Sequence, residues 1–521
     1  MKRFLPYGFL LLIVLEIQAQ DYFITEYGAK ADGKKVNTKE IQKAINHCAE
    51  KGGGRVRVPA GTFLTGTLNL RSNINLYLES GAVLKGSPNL QDYSSCQVPG
   101  YDVPAHYGIL YTRGADNVSI TGTGTIDGNE EVFFEWEKVK PIEWGSVEYT
   151  RQKEKFRQPP EGIGDGPVMP RERPRQMIIF SECKNVLVRD VNIVKSPFWS
   201  LHFADCDGVI ASGLKIWTSL LTPNSDGIDI TSCRNVTISD CDIRTGDDAL
   251  VITGYAYHYE LPGYSDLRHP SDNINITNCN LQSRSSGIRI GYEDQNTVRN
   301  ITISNINITN SHRGIGIFLR ETGSIENVSI SQVNIETRLH SGDWWGNGEP
   351  VHISSVPGNS GKPLGHIKNI VLRDITCTGE NGILIYGCSE SQIEDIRFEN
   401  IHLTIVPGKL NEIAGGNIDL RGAAGVNLFK SDIAAFHAEN VADLNLRSLK
   451  IEWGNMKEDY YTHGIFLDQY NGVRLEDIEV KPSPSNPGLP AVFVGEGTGL
   501  ISEGKPRLDQ SEEPDWEQNS R

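Results

Sequence analysis

Beyond its first twenty residues, the 521-residue sequence contains no apolar run long enough to cross a bilayer. About 18 uninterrupted apolar residues would be needed, so we expect no membrane insertion of the mature chain. Basic residues are also too few to balance the acidic ones: 50 Lys and Arg stand against 66 Asp and Glu, which gives a net charge of −16. Proteins that bind nucleic acids present basic surfaces, so we expect no nucleic-acid partner.

The nine cysteines include no Cys-x-x-Cys pair, which argues against a metal site held by paired thiolates. Their odd number leaves at least one thiol without a disulfide partner. Most of them are spaced like a short repeat. We therefore interpret them as small buried residues in stacked positions and not as a disulfide framework.

The start of the sequence resembles a secretory signal peptide. In residues 1–20, Lys2 and Arg3 precede the apolar run Phe9–Leu15, which is too short to span a membrane. We therefore predict a secreted or periplasmic protein.

The end of the sequence has a different composition from the long part before it. Residues 503–521 are charged and contain proline, which is typical of a disordered tail. Residues 21–502 remain as a single predicted domain, and we expect this protein to be a monomer.

A short unit recurs through this domain: an asparagine, then Val or Ile, then any residue, then an apolar residue. It begins at Asn117, Asn185, Asn235, Asn273, Asn300, Asn327 and Asn369. The last five starts are 38, 27, 27 and 42 residues apart, and repeats of about 20–30 residues are typical of solenoids. We predict an all-β fold, a right-handed parallel β-helix, since crossovers between parallel strands are right-handed. Residues 38–51 have apolar positions at helical spacing, which predicts a short N-terminal helix capping the first coil.

Three carboxylates lie in the stretch from Asn224 to Gly254: Asp226, Asp247 and Asp248. Asp247 follows Asp226 by 21 residues, about one turn of such a solenoid. Adjacent coils stack their strands about 4.7–4.9 Å apart, so these acids would meet on one face. Clustered carboxylates raise at least one pKa and place a proton donor beside an ionised base, which is the minimum needed to hydrolyse a glycosidic bond. Either motif alone is typical of a turn, but the two together, one coil apart, favour a site.

Three insertions interrupt the repeat, at residues 129–174, 255–270 and 340–350, and all three contain aromatic residues. Long loops on a rigid scaffold often border a binding site. Aromatic rings in such loops either stack on sugars or anchor the loop itself, and both interpretations stay open.

Several motifs resemble glycoside hydrolase family 28, the polygalacturonase-like enzymes. They are YGAKADG (27–33), PAGTF (59–63), GTGTIDG (122–128), RPRQMIIFSECKNV (173–186) and SPFWSLH (196–202). The family's Asn-Thr-Asp corresponds to residues 224–226, and its Gly-Asp-Asp to residues 246–248. By this resemblance, Asp247 is the general acid, while Asp226 and Asp248 hold and activate the attacking water, with inversion at the anomeric carbon.

Two family motifs are altered. Ser286 stands where the family has a histidine, and Gly316 and Phe318 stand where it has an arginine and a lysine that contact the galacturonate carboxylate. Arg289 and Arg320 lie close in sequence, and each either replaces the lost charge or belongs to the surface.

A histidine in the SPFWSLH motif is the third candidate for binding substrate. His202 either faces the site, one coil before Asp226, or supports it from beneath.

We therefore predict a hydrolase of an acidic plant-type polysaccharide or oligosaccharide, exo-acting or rhamnogalacturonan-directed, with no cofactor and no metal. One alternative is a polysaccharide lyase of the same architecture, in which the acid cluster binds calcium. Another is a non-catalytic carbohydrate-binding β-helix. An unsaturated product would select the first alternative, and binding without turnover the second.

Overall fold

Short parallel strands, stacked coil upon coil, form the body of the molecule in a computed structural model that describes residues 20–96, 105–142, 147–256, 267 and 269–503. The predicted signal peptide and the predicted tail fall outside these residues, apart from Gln20 and Glu503. Two α-helices are present in the described chain, α1 (Thr38–Glu50) and α2 (Asn411–Ala414). Neither is long and apolar enough to span a membrane.

The first part of the chain forms β1 (Asp21–Phe23), β2 (Asp32–Val36), β3 (Gly54–Val58), β4 (Gly61–Thr65), β5 (Ile74–Leu78), β6 (Ala82–Gly86), β7 (Ser95–Cys96), β8 (Ala105–His106), β9 (Leu110–Arg113), β10 (Asp116–Gly122), β11 (Thr125–Asp127), β12 (Phe134–Val139) and β13 (Val168–Pro170). The middle forms β14 (Ile178–Ser181), β15 (Lys184–Arg189), β16 (Asn192–Val194), β17 (Leu201–Ala204), β18 (Asp207–Ser212), β19 (Lys215–Trp217), β20 (Ile228–Thr231), β21 (Arg234–Ser239), β22 (Asp242–Thr245), β23 (Leu250–Thr253), β24 (Ser271–Ser283), β25 (Ser286–Tyr292) and β26 (Val298–Ser311). The last part forms β27 (Arg313–Leu319), β28 (Ile325–Thr337), β29 (Val351–Ser355), β30 (Ile367–Gly379), β31 (Ile383–Tyr386), β32 (Ile393–Ile405), β33 (Asn417–Asp419), β34 (Leu428–Lys430), β35 (Phe436–Trp453), β36 (Ile465–Glu479), β37 (Val492–Val494) and β38 (Gly497–Glu503).

Thirty-two of these strands form one sheet that winds into three parallel ladders. The first ladder runs from β1 through β3, β5, β10, β15, β18 and β21 to β24, and on to β38. The second joins β2, β4, β6, β11, β16, β19 and β22 to the end of β24. The third runs through β9, β14, β17, β20, β23, β25, β27, β29 and β31. The predicted right-handed parallel β-helix is confirmed.

The recurring asparagines form the corners of the coils. All seven have φ between 54° and 58°, in the left-handed region that asparagine tolerates better than most residues. Their side chains also bond from coil to coil, as Asn327 Nδ2 does to Asn300 Oδ1 at 3.1 Å. The apolar residue after each asparagine points inward. These residues stack with Val209, which follows Gly208, in one ladder: Val118, Val186, Val209, Val236, Ile274, Ile301, Val328 and Ile370. Stacking therefore buries side chains that no single coil could bury.

Helix α1 covers the open end of the first coil, as predicted. It buries Ile41, Ala44, Ile45 and Cys48 against the core. All nine cysteines are free thiols, and eight of them are buried. This agrees with their interpretation as small stacked residues.

Candidate active site

The candidate site lies on the outer side of the third ladder, which we call the site face. In register, His202 on β17 neighbours Asp229 on β20, and Arg289 on β25 neighbours Gly316 on β27. The residues on either side of each of these point into the apolar core. Strand alternation therefore directs the side chains of His202, Asp229 and Arg289 outward onto one face, which Gly316 shares.

Three aspartates meet where two neighbouring strands of this ladder begin. Asp226 lies two residues before β20, and Asp247 and Asp248 lie three and two residues before β23. One oxygen from each of the three carboxylates lies within 4.8 Å of the others. Gly246 permits this geometry for a steric reason, since a Cβ there would collide with the carbonyl oxygen of Thr222. The structure thus brings together the three acids that the sequence singled out.

Asp248 is the member of the cluster that is held ionised. Its Oδ2 accepts a hydrogen bond from Arg289 Nε, and its Oδ1 accepts one from the backbone N–H of Ser286 at 2.7 Å. Burial alone would raise the pKa of Asp248. The charge of Arg289, with the hydrogen bonds of Ser285 and Ser286, instead holds that pKa below its usual value.

Asp247 has the opposite character. Burial and the charge of Asp248 raise its pKa to about 6. Its Oδ2 accepts a hydrogen bond from the backbone N–H of Asn224 at 2.9 Å. Unlike the other two acids, it is partly exposed to solvent. Asp247 is therefore a carboxyl group that holds a proton in mildly acidic solution and can reach a ligand on the site face.

Asp226 completes the cluster. Burial, followed by the charges of Asp247 and Asp229, raises its pKa well above the usual range. Its Oδ1 has no hydrogen-bond partner within the described residues. An oxygen in that position beside an ionised carboxylate can receive a bond from a water molecule held between the two acids.

Sequence reasoning missed Asp229, which lies three residues after Asp226 in the same motif. It is completely buried, neither of its carboxyl oxygens has a partner in the described chain, and burial raises its pKa. The signal was present in the sequence as the second acid of Asn-Ser-Asp-Gly-Ile-Asp. The alternation of the following strand points Asp229 outward, toward Arg289 and the other acids.

His202 lies on the neighbouring strand β17, beside Asp229, and is completely buried. Its Nε2 is 3.0 Å from the hydroxyl of Thr231, and the ring of Trp199 packs edge-on against it at 5.1 Å. Burial lowers its pKa to about 3, so the imidazole is neutral. In this position its ring is held between Trp199 and Thr231.

The altered positions next to the acids form an organised contact. The ring of Phe318 covers Gly316, where an added Cβ would come within 2.5 Å of the ring. The guanidinium of Arg313 lies over the same ring, 4.8 Å from its centroid. Arg320, the other predicted basic residue, is almost completely buried and lines a small cavity beside Phe318.

The three acids are close enough to share a cation, and carboxylate oxygens are the ligands that calcium prefers. However, both oxygens of Asp248 are already bonded, one of them to the cation Arg289. The guanidinium supplies the compensating positive charge that a metal ion would otherwise supply. The arrangement therefore fits acid–base chemistry better than a dedicated cation site.

Two family models match the chain. Residues 164–416, which contain the acid cluster, match the model of glycosyl hydrolases family 28. Residues 23–136 match the model named rhamnogalacturonase A/epimerase, pectate lyase-like. The resemblance to glycosyl hydrolases family 28 that the sequence motifs indicated is thus confirmed.

Individual relatives agree with this resemblance. An endo-polygalacturonase from Pectobacterium carotovorum is 31% identical over 247 residues, which cover 46% of this chain and 56% of the relative. A probable polygalacturonase from Vitis vinifera is 26% identical over 263 residues, which cover 48% of each. The chain thus spans about half the length of these curated relatives. The solved family 28 exopolygalacturonase from Yersinia enterocolitica shares the fold, with a TM-score of 0.65, 19% identity, and coverage of 89% of this chain and 79% of that one.

Proposed function

We propose that this protein hydrolyses glycosidic bonds in an acidic pectic polysaccharide or oligosaccharide. The observation that carries this proposal is the pairing of a partly exposed, protonated carboxyl group with an ionised one inside a single cluster. The pKa of Asp247 is raised to about 6, and that of Asp248 is lowered. Two carboxyl groups whose pKa values are driven apart by their surroundings are what acid–base hydrolysis of a glycoside requires.

The reaction follows from these positions. The Asp247 carboxyl group donates its proton to the leaving oxygen as the bond to the anomeric carbon breaks. A water molecule held between Asp226 and Asp248 attacks that carbon from the opposite face, and Asp248 accepts the proton that the water loses. By the resemblance to family 28 the anomeric configuration is inverted, and solvent then returns Asp248 to its ionised form and Asp247 to its protonated form.

Arg289 is a positioning residue in this scheme. It bonds to Asp248 and not to a reacting atom, and it keeps that carboxylate ionised before the water arrives. His202 and Asp229 support the same face as neutral buried groups. We propose that the protein acts outside the cytoplasm, because a polymeric substrate cannot enter a cell and because residues 1–20 carry the predicted signal.

The test is to incubate the purified protein with polygalacturonate, rhamnogalacturonan and their oligosaccharides, and to identify the released sugars by chromatography and NMR. We expect saturated products whose first-formed anomer is inverted. Asp247→Asn should abolish their release. Asp242→Asn, a change to an acid that pairs with Arg244 at 3.3 Å on the second ladder, should not.

Other outcomes would select other functions. An unsaturated product that disappears with a calcium chelator would identify a lyase. Binding of these glycans by calorimetry without any product would identify a non-catalytic carbohydrate-binding protein. Release of sugars only from neutral glycans would overturn the acidic substrate while keeping the hydrolase.

A further inference from the structure

The pairing of strands on the third ladder begins just after the acids. The first backbone hydrogen bond between the two acidic motifs runs from the Gly227 N–H to the Asp248 carbonyl oxygen, at 2.9 Å. Asp226 and Asp247 lie upstream of this bond. Among the described residues, no backbone-to-backbone bond joins the two motifs there. Side chains must therefore set the distance between the Asp226 and Asp247 carboxyl groups.

The Ser225 side chain provides such a link. It precedes Asp226 and is completely buried. Its hydroxyl accepts a hydrogen bond from the backbone N–H of Gly246 at 3.1 Å and donates one to the Thr222 carbonyl oxygen at 2.8 Å. Because Gly246 precedes Asp247, one hydroxyl group joins the residues next to both acids. A buried hydroxyl that donates and accepts at once holds its partners in a defined geometry.

Residues 219–222 form the turn on which Gly246 lies. The backbone N–H of Thr222 donates to the Ser219 carbonyl oxygen at 3.3 Å, and the Thr222 hydroxyl donates to the same oxygen at 2.8 Å. Gly246 rests directly on this turn, since an added Cβ would collide with the carbonyl oxygens of both Thr222 and Ser219. A shift of the turn would therefore move Gly246, and Asp247 with it.

Glu130 fastens this turn from a different part of the chain. It is the second residue of the insertion 129–174 and is 5% exposed. The backbone N–H of Ser219 donates to its carboxyl group, and both carboxyl oxygens lie 3.2 Å from that nitrogen. Burial raises the pKa of Glu130 to about 8, so the group is neutral in mildly acidic solution. It therefore holds the turn by hydrogen bonding and adds no buried charge.

We propose that Ser225 and Glu130 are positioning residues, which together set the distance between the general acid Asp247 and the carboxylates that hold the water. The inference rests on the proposed function and adds the residues that align its acid with its attacking water. Both act through the backbone, Ser225 at residue 246 and Glu130 at residue 219. Hydrolysis by an attacking water needs a fixed separation of the carboxyl groups. A misplacement of about 1 Å can lower the rate about 100-fold.

The first test measures kcat and KM on polygalacturonate for Ser225→Ala and Ser225→Thr. We expect Ser225→Ala to lower kcat about 10- to 100-fold and to change KM less than about threefold, because the acid moves while the binding surface stays. Ser225→Thr should keep most of the activity, since it retains the hydroxyl and family 28 has threonine in this motif. Ser271→Ala is the control and should leave kcat unchanged. Its hydroxyl is equally buried and donates to the Thr253 carbonyl oxygen at 2.7 Å, at the far end of β23.

Two substitutions of Glu130 separate positioning from proton transfer. Glu130→Gln keeps a neutral group with an acceptor oxygen for Ser219, so we expect at least about half of the parent kcat. Glu130→Ala leaves the Ser219 N–H without that acceptor and should lower kcat about tenfold with KM unchanged. Equal losses in the two variants would contradict a positioning role for Glu130 and assign it a proton-transfer role.

Crystal structures of the parent, Ser225→Ala and Ser225→Thr test the geometry independently of turnover. We expect the Asp247 carboxyl group to move relative to Asp226 by at least about 0.5 Å in Ser225→Ala and to stay in place in Ser225→Thr. An unmoved Asp247 in Ser225→Ala, or equal losses of kcat in the two variants, would overturn the proposal. If Ser225→Ala does not fold, Glu130→Ala supplies the same two measurements. A parent that cleaves no pectic substrate, while Asp247 still moves in Ser225→Ala, would overturn the proposed function and keep the positioning role.

Discussion

Arg289 is the residue whose replacement most directly tests how the charges of the site are arranged. Its side chain is 11% exposed, and that of its partner Asp248 is 7% exposed, so water screens the pair weakly. Arg289→Met keeps much of the side-chain length and removes the charge. Asp248 then becomes a buried carboxylate without a counter-ion, beside Asp226 and Asp247.

The size of the effect follows from the geometry. Two unit charges about 4 Å apart interact by about 4 kcal/mol at an effective dielectric constant of about 20. This interaction energy exceeds the free energy of about 1.4 kcal/mol that shifts a pKa by one unit. We therefore expect the pKa of Asp248 to rise and the acid limb of the kcat/KM profile to move to higher pH by at least about one unit.

Stability should change with a defined sign. A carboxylate whose folded-state pKa is lowered stabilises the fold above its unfolded pKa, and this contribution is lost as the pH falls. The Arg289→Met protein should therefore be less stable by about 3–5 kcal/mol near neutral pH. That difference should shrink as the pH falls toward about 4.

The assay is kcat/KM on polygalacturonate from about pH 3 to about pH 8, with urea unfolding at both ends of the range. Arg299→Met is the control, because Arg299 pairs with Asp272 at 2.9 Å on the open surface and exposed pairs contribute little. An acid limb that stays in place in Arg289→Met would refute the role assigned to Arg289, whatever the loss of activity.

Three further predictions follow from the same contacts. Activity of the unmodified protein should fall as the pH rises through about 6, since Asp247 must be protonated and burial raises its pKa to about 6. Activity that still rises well above this pH would exclude Asp247 as the general acid. Asp229→Asn should stabilise the protein against urea, by up to about 1.4 kcal/mol for each pH unit above about 4. The reason is that Asp229 keeps its proton in the folded state and releases it in the unfolded chain. A gain in stability that does not depend on pH would contradict a buried neutral acid at this position. Gly316→Arg should destabilise the protein by about 1–3 kcal/mol, because the new side chain would overpack against the Phe318 ring. Adding Phe318→Lys should recover most of that lost stability in thermal melts. Equal melting temperatures for the single and double variants would show that the ring does not block the position.

The fold could be predicted from the sequence because its corners have a local cause. Asn300 and Asn327, for example, adopt φ of 56°, a conformation that few other residues tolerate, and each is followed by an inward apolar residue. The spacing of 27 residues between them then fixes one coil per repeat. Local conformation and burial agree at every such corner, so the pattern is visible without any long-range information.

The surroundings of the acids could not be predicted in this way. Asp419 and Arg421 reach the cavity from the segment that contains β33 and α2, about 100 residues after β27 in the chain. Trp345 reaches it from another insertion. The sequence shows that such loops exist, but which side chains they place on the site face depends on packing between segments that share no pattern.

The replacement of the two family basic residues is best understood from the contacts that the new residues make. A site that had only lost its function would leave the space over Gly316 open or loosely filled. Instead, the Phe318 ring fills that space, is only 4% exposed, and contacts Arg313 on its face and His352 edge-on at 5.0 Å. A glycine at 316 is what allows the ring to lie there, and the ring in turn forms one wall of the cavity that holds Arg320. These positions therefore depend on one another sterically, which favours a changed specificity over a decayed site.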